Sequence, residues 1–195
     1  TQLLRDDGRL DGGNGEMAVD LGGFAKGEAV DLAIALLRSR GIEHAIVNAG
    51  GDLRAIGRHG DRDWRIGVRD PREEGILAAI EISGDESVFT SGDYERYFVL
   101  DGRRYHHILD PRDGYPTRAT TSVTVLGVEA ALADAAATAL FVAGPDEWPA
   151  VATALGVSHV MLVDTAGAVH LSAPMQERVW LPGADERDIR VRTLP

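Results

Sequence analysis

The chain of 195 residues contains no cysteine, a single lysine against nineteen arginines, and only 6% aromatic residues. Without cysteine it has no disulfide framework and no thiolate metal site, which fits either redox compartment. No apolar run approaches the ~20 residues that a membrane-crossing helix needs. Positive charge is scarce as well: 20 basic residues stand against 31 acidic ones, a net charge of -11. The acidic residues are spread along the chain, so its average field repels nucleic acid and anionic membrane surfaces. Low-complexity tracts are missing too. With 44% hydrophobic and 26% charged residues, the composition is that of an ordinary globular chain able to bury a real core.

What is present reads as short strands with a few grouped helices. The run "EMAVDL" (16–21) looks like a short buried strand and leads into "GGFAKGEAVDLAIALLRSRG", where Val30, Ile34 and Leu37 recur at helical spacing and Gly41 supplies a stop. "HAIVNAGG" (44–51), "DLRAIG" (52–57), "DWRIGVRD" (63–70) and "GILAAIEIS" (75–83) follow, separated by Gly, Asp and Pro as in a meandering sheet. "RYFVLDGRRYHHIL" (96–109) predicts a hairpin about Asp101-Gly102, a pair that tolerates the positive φ of a tight turn. "TSVTVLG" (121–127) is another strand. "EAALADAAATALFVAGP" (129–145) is an Ala-rich helix ended by Gly144-Pro145, and "DEWPAVATALG" (146–156) a second helix interrupted early by Pro149. "SHVMLVDTAGAVHLS" (158–172) adds two strands around Thr165-Ala166-Gly167. The expectation is one α+β domain over 1–195, a mostly antiparallel sheet of short strands packed with a few helices.

Two charged residues lack a simple structural account. A chain that replaces Lys by Arg elsewhere should do so at Lys26 unless a compact ammonium is needed there, which makes Lys26 either a ligand-binding group or a surface lysine beside a glycine turn. It sits at a strand-to-helix junction with adjoining glycines, where unpaired N–H groups and the positive end of the helix dipole suit phosphate. Asp134 lies inside the Ala-rich helix, and its neighbours Ala130, Ala131, Ala137 and Thr138 include no cation. It is either a solvent-face aspartate or, with Thr138 one turn on, part of an oxygen donor set suited to Mg²⁺ or Ca²⁺ rather than zinc. In "YHHILDPRDGYP" (105–116), side-chain alternation makes His106 and His107 face opposite sides, so at most one is functional. The other histidines show no HxxxH or HExxH spacing. "FTSGDYERYF" (89–98) and "VNAGGDL" (47–53) place a glycine beside small or polar residues at a strand end, which reads as a ligand approach or as an ordinary turn.

The ordered set "DLGGFAKGEAVD", "VNAGGD", "TSGDYERYF", "YHHILDPRDGYP" and "ALADAAATAL", spread over residues 20 to 140, resembles the FAD:protein FMN transferase family, the ApbE-type flavin transferases. The resemblance implies an α+β enzyme that binds FAD and Mg²⁺, cleaves the pyrophosphate and attaches FMN through a phosphoester to a threonine of a target flavoprotein, releasing AMP. By the same resemblance, Asp20 matches the aspartate that contacts FAD, the Gly23 carbonyl contributes to the metal, and Lys26 lies near the dinucleotide. Asp134 matches the metal-ligand aspartate, followed by the Ala137 carbonyl and Thr138. His107 matches the essential histidine, a base for the acceptor hydroxyl, with Ile108 against the flavin nucleotide and Asp110 a weaker base.

Family members carry roughly a hundred residues before the "DLGG" strand, and the chain opens at Thr1 rather than at methionine, so it is read as the C-terminal portion of such an enzyme. The resemblance suggests an exported, membrane-anchored protein, with a cytoplasmic one also compatible. The alternatives carried forward are a Mg²⁺-dependent FAD pyrophosphatase yielding FMN and AMP, a non-catalytic FAD-binding module, and a structural or assembly domain that keeps the fold without ligand.

Overall fold

The structure is a computed structural model and describes residues 20–82 and 84–195. Most of the strand expected at 16–21 therefore lies outside the described residues; Asp20 and Leu21 themselves belong to no regular element. Helix α1 runs over Ala25–Ser39 with Val30 and Ile34 buried, and Gly41, at φ 77°, follows its end. Then come β1 (Ala45–Ala49), β2 (Asp52–Gly57), β3 (Trp64–Arg69), β4 (Ile76–Ile82) and β5 (Gly84–Gly92). The expected hairpin is β6 (Tyr97–Leu100) and β7 (Arg103–His106), turning through Asp101 at φ 51° and Gly102 at φ 74°. Strand β8 (Thr120–Gly127) precedes α2 (Ala130–Leu155), and β9 (His159–Asp164) pairs with β10 (Val169–Ser172). A short α3 (Ala173–Gln176), β11 (Val179–Trp180) and β12 (Ile189–Arg192) complete the chain.

Within α2, Gly144 has φ 75° and ψ -179°, so one helical piece stops there and another begins at Pro145, a residue suited to a first turn because its missing N–H is not needed. Pro149 does not interrupt that second piece as the sequence suggested; the helix passes through it. It lies only one turn from the break, where one backbone hydrogen bond is all that is forfeited.

A seven-stranded sheet in the order β1-β2-β5-β8-β9-β10-β12 forms the middle layer, antiparallel throughout except for the parallel β10–β12 pair. Its third strand, β5, carries only Val88 and Phe89 as large apolar residues, and no continuous run marks it in the sequence. Alternation divides the sheet. Phe89, Val123, Val125, Val160 and Leu162 join Val30, Leu140, Phe141 and Trp148 in a core under the helices. Val88, Leu126, Met161 and Val163 point the other way and join Leu77, Ile80 and Ile82 of a second sheet, β11-β4-β3. Residues of one strand thus serve opposite cores according to parity.

On β2 the same alternation turns Leu53 and Ala55 to the second core, and Asp52 and Arg54 to α1. Arg54 grips Asp85 with two nitrogens at 2.7 Å and also pairs with Asp31 of α1. Asp31 in turn accepts the N–H groups of Ala130 and Ala131, both at 3.0 Å, so it caps α2, which has no cap of its own. Reciprocally, Asp134 of α2 accepts the Gly27 N–H at 2.9 Å in the first turn of α1, which also lacks its own side-chain cap.

The two helices approach at Gly27. A Cβ there would lie 2.6 Å from the Ala131 Cα and closer still to the Ala130 carbonyl. Gly27→Ala gains about 1 kcal/mol of helix propensity but forces two backbones apart, and overpacking typically costs about 1–3 kcal/mol or more. We expect a net loss of stability, read as a lower denaturant midpoint; a higher midpoint would contradict the close approach.

Candidate active site

The glycine junction is built by local hydrogen bonds. Asp20 Oδ1 accepts the Gly22 N–H at 2.7 Å, and the Phe24 and Ala25 N–H groups both bond to the Leu21 carbonyl at 3.0 and 2.8 Å. With Gly27 N–H taken by Asp134, the N–H groups of Gly23 and Lys26 are those between Gly22 and Gly27 without a partner among the described residues. A bound anion would meet those two donors and the positive end of α1 rather than a fully open first turn.

Facing the junction is the middle of the first piece of α2. Asp134 is 5% exposed, so it is not a solvent-face aspartate. Its Oδ2 is engaged by Gly27, and Oδ1 accepts no hydrogen bond from the described residues. Thr138 Oγ1 lies 3.1 Å from Ser91 Oγ and 3.4 Å from the Asp134 carbonyl, and it comes so near Gly23 that a Cβ there would sit 3.3 Å from it. Gly23, Lys26, Asp134 and Thr138 are therefore brought together. Ala137, 1% exposed, shares the α2 face packed on the core.

Lys26 does not stand alone. Its ammonium donates to Asp52 Oδ2, while Asp52 Oδ1 accepts the Thr90 N–H at 2.6 Å. Burial pushes the Asp52 carboxyl above the usual carboxylate range, against the pull of Lys26 and Thr90, and the nearby charge of Asp134 pushes the same way. Two carboxylates against one ammonium leave the site with an uncompensated negative charge. Sequence reasoning passed over Asp52, although it closes the quoted "VNAGGD" motif; an aspartate directly after Gly50-Gly51, at the head of an otherwise buried strand, was the available signal. It also passed over Ser91, which reaches Thr138 from the end of β5.

The two adjacent histidines do diverge. His106, the last residue of β7, is buried; its Nε2–H donates to the Thr117 carbonyl at 2.9 Å, the Ile108 N–H donates to its Nδ1 at 3.3 Å, and its ring packs edge-on to Phe141. His107 is exposed, with Nδ1 at 3.3 Å from the Arg96 carbonyl, so that when Nδ1 carries the hydrogen Nε2 is free to take a proton. Ile108 is 5% exposed and belongs to the core under the helices, and its main chain is engaged as well, the N–H by His106 Nδ1 and the carbonyl by the Thr117 N–H at 3.2 Å. Asp110 is clasped by the Arg112 guanidinium at 2.7–3.0 Å, which holds its carboxyl below the usual range and makes it a poor base. Among the described residues, no hydrogen bond or ion pair links His107 or Asp20 to the Asp134 group.

No cluster of three or more His, Cys, Asp or Glu is arranged around a point among the described residues. The donor set at the junction is of another kind: one carboxylate with an unengaged oxygen, a threonine hydroxyl and main-chain carbonyls, all hard oxygens, which fit Mg²⁺.

The profile of the ApbE family matches residues 2–161. The chain belongs to the ApbE family. It is 45% identical over 183 residues to a protein of Rhodobacter capsulatus named FAD:protein FMN transferase, covering 93% of this chain and 35% of that one. The ApbE protein of Thermotoga maritima superposes with a TM-score of 0.80 at 40% identity, over 90% of this chain and 58% of that one. The flavin transferase ApbE of Vibrio cholerae does so with a TM-score of 0.72 at 34% identity, over 84% and 53%. This ApbE-family chain thus spans about a third to a half of the length of the curated relatives it matches.

Burial holds the His106 pKa below its ordinary 6.5 despite the Thr117 hydrogen bond. The folded state therefore binds that proton less tightly than the unfolded one: its contribution is complete above about pH 6.5 and is lost as pH falls through that value, at up to about 1.4 kcal/mol per unit. His159, lowered by burial as well, adds in the same direction. Denaturant midpoints should fall between pH 7 and 5.5, and His106→Asn should flatten that decline.

Proposed function

We propose that the chain carries the catalytic portion of a Mg²⁺-dependent FAD:protein FMN transferase, which moves FMN from FAD to a threonine hydroxyl of a target flavoprotein and releases AMP. The reading is carried by one observation: at the head of α1, Asp134 of α2 holds the Gly27 N–H and Thr138 lies against Gly23, with Lys26 between those two glycines in the chain. The names borne by the relatives support it. A pyrophosphate adds negative charge to a site that already has an excess of it, so a cation is required there. The Asp134 and Thr138 side chains with the Gly23 and Ala137 carbonyls would hold Mg²⁺, whose charge, when bound, neutralises the departing phosphate.

The chain's own groups do the rest. Gly23 and Lys26 offer N–H groups to the phosphate oxygens, and Asp20 fixes the turn that presents them. His107 Nε2 takes the proton of the acceptor hydroxyl as its oxygen bonds to the FMN phosphorus; the anhydride bond breaks and AMP leaves with the electron pair. Arg112 keeps Asp110 from competing for that proton.

Incubation of the protein with FAD, Mg²⁺ and a target flavoprotein should give flavin that comigrates with the acceptor after denaturation, together with AMP. AMP without labelled acceptor would identify a pyrophosphatase instead, and FAD fluorescence quenching without AMP a binding module. Asp134→Ala should lower either activity by about 100-fold or more, as loss of a metal ligand demands; full turnover at ordinary Mg²⁺ would remove the site assignment. His107→Asn should cut acceptor labelling by about 10²–10⁴-fold at unchanged FAD affinity, the range of a lost general base.

A further inference from the structure

The strand β2 sets two acid–base pairs against α1, and they differ in a telling way. Arg54–Asp31 pins the helix with an arginine, reinforced by Asp85, so the attachment itself does not call for lysine. Lys26–Asp52 is the pair beside Asp134, and it uses the only lysine of the chain. Asp52 is 4% exposed and held from behind by the Thr90 N–H, whereas the Lys26 side chain, beside Gly27 in the chain, is 40% exposed. A flexible ammonium on four methylenes would otherwise sample many rotamers; a fixed carboxylate selects one. A guanidinium in its place would present a planar, wider fork rather than a compact point charge.

We propose that Asp52 is a positioning residue: it aims the Lys26 ammonium at the phosphoanhydride of the bound dinucleotide, and by cancelling that charge it makes anion binding depend on a divalent cation. This rests on the transferase reading for the identity of the anhydride. It makes Lys26 a directional donor rather than a general source of positive potential, and it assigns Asp52 a role no motif match supplies.

The single lysine provides the test. With ¹³C-labelled lysine the 195-residue chain gives one lysine side-chain NMR signal, followed during titration with inorganic pyrophosphate, with and without Mg²⁺, while calorimetry reports binding. In the wild type the signal should lie away from the free-lysine position and move on adding Mg²⁺ with pyrophosphate. In Asp52→Asn it should collapse to the free-lysine position, and pyrophosphate without Mg²⁺ should bind about tenfold tighter, because the ammonium has lost its counter-charge. Asp52→Glu should restore part of the displacement. A purely structural carboxylate would instead weaken binding equally with and without Mg²⁺, and that result overturns the proposal. So does a wild-type signal that stays fixed under saturating Mg²⁺ and pyrophosphate, or a failure of the wild type to bind them, whether or not the variant folds. A wild type that binds pyrophosphate and shifts Lys26 but forms neither AMP nor labelled acceptor from FAD with the target flavoprotein present leaves the positioning role standing and removes only the transferase reading.

Discussion

The arrangement depends on how near α1 and α2 come to one another at Gly27. Because that residue has no side chain, the backbone of α1 rests on the Ala130 carbonyl and the Ala131 Cα, and the Asp134 carboxylate reaches the Gly27 N–H at 2.9 Å. That one approach sets Thr138 beside Gly23 and puts a buried acid at the head of a helix. With a wider spacing, the Asp134 carboxylate would not reach the Gly27 N–H and Thr138 would not lie beside Gly23. Small residues on α2, from Ala130 through Ala137, extend the close contact along the helix.

The middle sheet supplies the other half of the site by parity. In β5, Phe89 enters the core under the helices and Ser91, two residues on, reaches Thr138, whereas Val88 belongs to the opposite core. In β2, Asp52 and Arg54 face α1 while Leu53 and Ala55 do not. A one-residue slip in either strand would exchange these sets, so the buried apolar faces that hold the register also hold the polar groups in place.

Much of this was legible in the sequence, for identifiable reasons. Val30 and Ile34 at helical spacing, Gly41 after them, Asp101-Gly102 in the hairpin and the break at Gly144-Pro145 are local signals, and each appears where local chemistry puts it. Asp134 stood out because its own helix offers no cation, and its burial follows from a partner on another helix. Strand β5 was hidden, since a strand flanked on both edges by other strands draws its pairing from β2 and β8 rather than from its own composition. Asp52 and Asp31 were hidden for the same kind of reason: their partners, Lys26 in one case and Arg54 with the α2 N-terminus in the other, lie far along the chain. Long-range pairing, not local propensity, decided what could not be read.

The exchange of caps between the helices has a dynamic consequence. Asp31, in the second turn of α1, satisfies the start of α2, and Asp134, in the second turn of α2, satisfies the start of α1, so loss of the first two turns of either helix strands donors on the other. The two beginnings therefore open and close as one cooperative unit with a shared protection against solvent exchange. Whatever ligand tightens one of them stiffens the other, and this end of the molecule breathes in concert rather than piecemeal.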